Sequence, residues 1–147
     1  MKEEFKLDEI EGIADKLMKE LSVGIKEKAT ILALYGDLGA GKTTITKEVA
    51  KILGIKEKVI SPTFVIMKKY KTKNKTFKNL IHIDAYRFDN EQEILMLGWK
   101  ELIGDKDNLI ILEWPEKVEK VLPKGIYSVK LEHKNETTRS IKFCYNK

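Results

Sequence analysis

The sequence predicts an α/β fold: three layers, α/β/α, around a mixed and largely parallel central sheet that ends in an antiparallel C-terminal hairpin. Three observations predict it. Short apolar runs, Thr30–Tyr35 and Asn108–Trp114 above all, are interspersed with segments of helical period, the pattern of a parallel sheet covered by helices. The first of these runs passes through a glycine-rich stretch directly into a helical segment. The last part of the chain, Ile126–Tyr145, holds two strand-like runs around the polar turn "HKNETT".

Each element has its own signal. Asp8 and Glu11 have capping-box spacing, and Ile10, Ile13, Ala14, Leu17, Met18 and Leu21 make one apolar helical face. Thr30–Tyr35 is apolar enough for a buried strand. "TTITKEVAKILG" reads as a helix with Ile45, Val49, Ile52 and Leu53 inward and Gly54 as its stop. A short strand over Lys58–Ser61 precedes Pro62, and Thr63–Lys71 alternates as a half-buried strand. Asn79–Tyr86 is its hairpin partner across the turn "TKNKTFK". "EQEILMLGWKELI" is helical with a break at Gly98, and "PEKVEKVL" opens a helix on proline, which the first turn tolerates.

The 147 residues suit one domain spanning 1–147. Hydrophobic residues make up 42% and charged residues 35%, a globular balance with a heavily charged surface. The net charge of +5 is mild; it fits phosphate-rich partners or simply a lysine- and glutamate-rich surface. A single cysteine, Cys144, excludes a disulfide within the chain and a cysteine-built zinc site. No apolar run approaches the roughly 20 residues of a membrane span, and the charged start "MKEEFKLDEIEG" is no secretory signal. The expectation is a cytoplasmic protein with neither a membrane nor DNA as partner.

Gly36, Gly41, Lys42 and Thr43 satisfy G-x-x-x-x-G-K-[ST]. Glycines allow positive φ and close approach. Successive N–H groups then form a nest for phosphate oxygens at the positive end of the following helix. The predicted nucleotide-binding residues are Gly36, Asp37, Leu38, Gly39, Ala40, Gly41, Lys42, Thr43 and Thr44, with Lys42 reaching the β- and γ-phosphates and the Thr43 hydroxyl on Mg²⁺. The fold is therefore predicted to be a P-loop NTPase.

Such a loop needs an acid at the end of a neighbouring strand. "LIHID" ends in Asp84 and "LIILE" in Glu113. The second run is the cleaner buried strand, so Glu113 is assigned to the metal with Thr43. Asp84 joins Lys42 as a catalytic candidate, orienting the attacking water or accepting its proton. "SPTF" places Ser61 and Thr63 where switch hydroxyls approach a γ-phosphate. His82 alone reads as a packed histidine and His133 as a turn residue. Arg87 is a phosphate contact, an interface anchor or an ordinary surface arginine. Trp114 either shields the site or faces a partner.

"GDLGAGKTT", "SPTF", "HIDAYR" and "LEW" occur in that order at suitable spacing, and together they resemble the TsaE (YjeE) family, bacterial ATPases of tRNA threonylcarbamoyladenosine biosynthesis. The resemblance covers Leu32 to Trp114. It implies a protein that binds ATP/ADP with Mg²⁺, hydrolyses ATP slowly and supports turnover by the TsaD–TsaB pair. TsaD carries the transfer chemistry to adenosine 37, and the resemblance leads one to expect contact with tRNA through the complex, leaving direct contact open. It also implies that Lys42 and Thr43 bind phosphate and Mg²⁺, that Glu113 completes the metal site and that Asp84 serves hydrolysis. Ser61 and Thr63 fall in a switch-like segment, and Tyr86, Arg87 and Trp114 couple nucleotide state to partner. Two departures stand out: "LDEIEGIA" lacks the threonine common near the first helix, and Lys47-Glu48 replaces a frequent Arg-Gly. Rival classes fit less well. A small-molecule kinase needs an arginine-rich lid, but the chain has only Arg87 and Arg139; a GTPase needs D-x-x-G and N-K-x-D, and neither occurs. An RNA-reading interaction module would use the lysines and would not depend on Lys42.

Overall fold

The computed structural model describes residues 2–37, 40–59 and 66–146. Among these, seven strands form one sheet: β1 (Lys2–Lys6), β2 (Thr30–Tyr35), β3 (Met67–Lys71), β4 (Asn79–Asp84), β5 (Asn108–Glu113), β6 (Ile126–His133) and β7 (Thr138–Asn146). The helices are α1 (Ile10–Leu21), α2 (Lys42–Ile52), α3 (Glu91–Leu95) and α4 (Trp99–Gly104). The strand order is β1-β7-β6-β2-β5-β4-β3. The four inner strands β6, β2, β5 and β4 are parallel, while β3, β7 and β1 pair antiparallel toward the two margins. The predicted mixed, mainly parallel centre and the antiparallel hairpin at the end of the chain are both present.

Alternation along the inner strands builds the two outer layers. Leu32, Leu34, Leu109 and Ile111 point to one face and pack with Leu17 and Leu21 of α1 and Ile45 and Val49 of α2. Ile31, Ala33, Ile110 and Leu112 point to the other and pack with Ile94, Trp99 and Val118. All six residues of β5 are buried, as a parallel strand covered on both faces requires. Each such aliphatic side chain contributes about 1.5–3 kcal/mol of burial. Where β4 and β5 begin, Asn79 Nδ2 donates to Asn108 Oδ1 at 3.0 Å and Asn108 Nδ2 donates on to Leu102 O at 3.0 Å, while Asn79 Oδ1 is buried with no hydrogen-bond partner among the described residues.

Several local expectations are corrected. The charged start forms β1, an edge strand in which Phe5 alone is buried and whose stability comes from main-chain pairing to β7, from Lys2↔Lys142 to Lys6↔Thr138. The helix begins later than predicted, after a 3-10 turn at Leu7–Glu9. Glu9 rather than Glu11 closes it, accepting from the Lys6 N–H at 2.8 Å. In α2 the buried stripe is Ile45, Thr46, Val49 and Ala50, continued by Leu53, which leaves Ile52 at its margin and exposed. Pro115–Val121 is 3-10 rather than α, broken at Val118 (φ −133°) so that this side chain enters the core. Lys58 and Val59 are not in a strand; the rest of that predicted strand, and the start of the one over Thr63–Lys71, lie outside the described residues. Gly98 does break the helix as predicted, at φ 84° between α3 and α4. No helix among the described residues is long and apolar enough to cross a membrane.

Candidate functional site

The site forms where β2, β5 and β4 end side by side. Leu34 is in register with Glu113, and Glu113 with Asp84. β2 has β5 on one side and β6 on the other; α2, which leaves β2, covers one face of the sheet, and the segment of Val118, which leads into β6, covers the other. The crevice beyond the carboxyl ends of such strands is where α/β sheets take ligands. The loop from β2 into α2 opens at Gly36 (φ 151°) and closes at Gly41 (φ 106°), both in backbone regions that disfavour side chains. Ala40 N donates to Asp37 O and Ile45 N to Gly41 O, each at 3.0 Å. Leu38 and Gly39 lie outside the described residues.

Gly36 is also fixed by crowding. A Cβ there would sit 2.9 Å from Leu131 O and 3.2 Å from the Ala40 Cβ. Gly36→Ala should therefore destabilise by about 1–3 kcal/mol, a fall in thermal midpoint of roughly 2–12 °C for a domain of this size. A melting curve superimposable on that of the unmodified protein would contradict this packing.

Lys42 begins α2 and is buried, only 5% exposed. Its Nζ donates to Gly36 O at 2.7 Å and lies 3.8 Å from the centre of the Trp114 ring. Burial pulls this ammonium below the ordinary lysine value, while the Glu113, Asp84, Glu116 and Asp37 carboxylates act in the opposite direction. Trp114 reaches Lys42 from the residue after β5 by adopting a left-handed conformation (φ 57°, ψ 51°), which costs a non-glycine residue about 1–2 kcal/mol. Its other neighbour is Tyr86, with ring centres 5.1 Å apart.

Both predicted acids are buried. By the alternation of β4 and β5 they share the face covered by α1 and α2. Asp84 Oδ1 accepts from the Tyr86 N–H at 2.9 Å, turning the chain sharply after β4. Glu113 Oε2 lies 2.5 Å from His82 Nε2. When Glu113 is ionised it can only accept, and the contact then uses an imidazole proton on Nε2. The His82 Nδ1 is buried with no hydrogen-bond partner among the described residues. The spacing of His82 and Asp84, two apart in a strand, already put them on one face; the contact with Glu113 needed the pairing of two strands distant in sequence.

Thr43 is half-buried in the first turn of α2 and Thr44 is exposed, as is Asp37. Tyr86, whose ring meets Trp114, and the following Arg87 are exposed. Ser61 and Thr63 lie outside the described residues. A cavity of about 620 Å³ opens beside the loop, lined by Gly36, Asp37, Trp114, Glu116, Glu132 and His133. His133, read from the sequence as a turn residue, is the last residue of β6. Among the described residues no group of three His, Cys, Asp or Glu side chains forms a metal cage. The available donors are the Thr43 hydroxyl and the Glu113 and Asp84 carboxylates, hard oxygens that suit Mg²⁺ when phosphate and water complete its shell.

Comparison with known proteins identifies the chain's relatives. The family described as "Threonylcarbamoyl adenosine biosynthesis protein TsaE" matches residues 6–141. The TsaE protein of Rickettsia felis is 39% identical over 125 residues, covering 84% of this chain and 70% of that one. That of Bacillus subtilis is 36% identical over 128 residues, covering 87% and 77%. The crystal structure of Bacillus subtilis YdiB superposes with a TM-score of 0.72 at 29% identity, covering 100% of this chain and 87% of that one. The match runs from the end of β1 into β7 and so takes in the loop, both acids and Trp114: the chain belongs to the TsaE family, the proteins of tRNA threonylcarbamoyladenosine biosynthesis.

Proposed function

We propose that this protein is a single-domain, cytoplasmic P-loop ATPase that binds ATP with Mg²⁺, hydrolyses it slowly to ADP and phosphate, and thereby supports repeated turnover by the TsaD–TsaB pair. The threonylcarbamoyl transfer itself belongs to that pair. The observation that carries the reading is the convergence of Lys42, Asp84 and Glu113 at the ends of β2, β4 and β5. An isolated glycine-rich turn would not bring a buried lysine to two buried carboxylates.

In this reading, backbone N–H groups of residues 36–44 hold the phosphates at the start of α2. Lys42 exchanges the Gly36 carbonyl for β- and γ-phosphate oxygens, a charge-assisted contact. Thr43 and Glu113 hold Mg²⁺, which when bound offsets the charge developing on the phosphoryl oxygens. His82 fixes the rotamer of Glu113 through the 2.5 Å contact. Asp84, held by the Tyr86 N–H, orients the attacking water and accepts its proton. Trp114 covers Lys42 and meets the exposed Tyr86; these two, with Arg87 next in the chain, would report phosphate occupancy to a partner. Ser61 and Thr63 are proposed as switch hydroxyls.

Glu113→Ala should reduce the Mg²⁺-dependent part of ATP affinity by roughly 10- to 100-fold, the scale of one charge-assisted contact. Affinity in excess EDTA should change little. Calorimetric titration in the two conditions separates these; equal losses in both would remove Glu113 from the metal.

The function is tested by capture of purified TsaD–TsaB on immobilised protein with ATP, ADP or no nucleotide. It is then tested by multiple-turnover modification of tRNA with the threonylcarbamoyl donor supplied. Nucleotide-dependent capture and ATP-dependent turnover are expected. Failure to bind the pair in any nucleotide state, with turnover indifferent to the protein, would overturn the reading. Competition between ATP and GTP decides the nucleotide, and a strong GTP preference would replace ATPase by GTPase.

A further inference from the structure

The lysines are unevenly placed. Residues 47–58 and 66–79 together hold ten lysines and two glutamates, a formal +8. The rest of the chain, with eighteen basic and twenty-one acidic residues, carries −3, so the net +5 comes wholly from these two stretches. The fold brings them together. Lys73 N donates to Leu53 O at 3.1 Å, tying the β3–β4 turn to the end of α2. Gly54 permits that approach, since a Cβ there would lie 3.3 Å from the Lys73 Cβ. Among the described residues β3 is the last strand of the sheet.

All ten lysines are exposed, and among the described residues only Lys51 has an acidic partner, Glu48 at 3.2 Å. Lys47, Lys51, Lys56 and Lys58 line a cavity of about 260 Å³ beside this edge. Lysines on an edge strand protect it from pairing with another sheet. That accounts for Lys68, Lys69 and Lys71 but not for Lys73, Lys75 and Lys78, which are off the strand, nor for the four around α2. Lys68 shares the face of Tyr70 and α2 while Lys69 and Lys71 point to the other, so the charge gathers along both sides of one edge, and that raises self-repulsion, which a bound polyanion relieves.

We propose that this edge binds the phosphate backbone of RNA, and specifically of tRNA, the nucleic acid that the TsaE family's pathway modifies. Tyr70 and Phe77 are the aromatic residues of the two stretches and both are buried, so no ring is offered for base stacking. The contacts are therefore electrostatic and indifferent to sequence. The surface is separate from the nucleotide site. Lys71 is in register with Asn79, at the opposite end of β4 from Asp84, and α2 places its 11 residues, roughly 16 Å of helix, between Lys42 and the Lys56–Lys58 loop.

The test is fluorescence anisotropy with a labelled tRNA transcript at 50 and 200 mM KCl. Three proteins are compared: the unmodified chain; K71E/K73E/K75E on this edge; and K100E/K106E/K117E, an equal charge change on exposed lysines elsewhere. The unmodified protein should bind, and with about four phosphates neutralised should lose roughly 100-fold in affinity between the two salts. The edge variant should lose at least tenfold at 50 mM KCl and the control variant less than threefold. A glutamine version of the edge triple, with its thermal midpoint recorded, separates lost contacts from lost folding. No binding at 50 mM KCl overturns the proposal. So do equal losses in both variants, or an edge variant that keeps tRNA but loses TsaD–TsaB. ATP hydrolysis by the same proteins is read in parallel: activity without RNA binding defeats this inference alone, and RNA binding without activity defeats the proposed ATPase alone.

Discussion

Lys42→Ala should weaken ATP binding by roughly 30- to 150-fold, the equivalent of about 2–3 kcal/mol for hydrogen bonds between an ammonium and phosphate oxygens. Stability without nucleotide should change far less. In the nucleotide-free protein the ammonium gains the Gly36 carbonyl and the Trp114 face, but it sits where burial disfavours its charge, and the two effects oppose each other. Lys42→Arg should not restore affinity, because a planar guanidinium does not replace a compact charge in a closed loop. The pH dependence follows from the same environment. The ammonium is the binding form and burial lowers its pKa, so ATP affinity should begin to fall at a less alkaline pH than an ordinary lysine would impose. Lys42→Ala should lack that alkaline limb. Titration with a non-hydrolysable ATP analogue in Mg²⁺ across pH measures both, and wild-type affinity in Lys42→Ala would sink the phosphate-loop assignment.

Asp84→Asn should bind ATP within about threefold of the unmodified protein yet lose hydrolysis by roughly 10²- to 10⁴-fold, the range for removal of a general base. The asparagine amide keeps an oxygen that can accept from the Tyr86 N–H, so the turn after β4 is retained while the proton acceptor is lost. Single-turnover hydrolysis beside equilibrium binding checks the division of labour. If Asp84→Asn hydrolyses ATP normally and Glu113→Ala does not, the two acids have exchanged roles.

The phosphate loop was legible in the sequence because its requirements are local: consecutive residues must supply positive φ, a lysine and a hydroxyl. The inner strands were legible because burial on both faces leaves unbroken apolar runs, and the acids were visible as the residues that end two of them. What was not legible depended on pairing. The clasp between His82 and Glu113 exists because β4 and β5 align Asp84 with Glu113. Nor does a sequence show that Trp114 accepts a left-handed backbone to cover Lys42. β1 leaves little trace in the sequence because an edge strand held mainly by main-chain hydrogen bonds needs little apolar pattern. The spacing of Ile52 fits the helical period, but the neighbouring surface covers the stripe through Val49 and Leu53 instead.

β2 carries the loop, yet its lateral partners are Leu109–Glu113 on one side and Tyr127–Lys130 on the other. On the ribosome, the nascent strand emerges long before either neighbour has been synthesised. Its apolar run Ile31–Leu34 has no native cover on its edges during that interval, and the N–H nest has no rigid anchor. Parallel pairing across such separations is slow to nucleate. The proposed nucleotide site is therefore among the last features the growing chain completes, and a translation product halted before β5 would keep the whole glycine-rich motif while lacking the scaffold that shapes it.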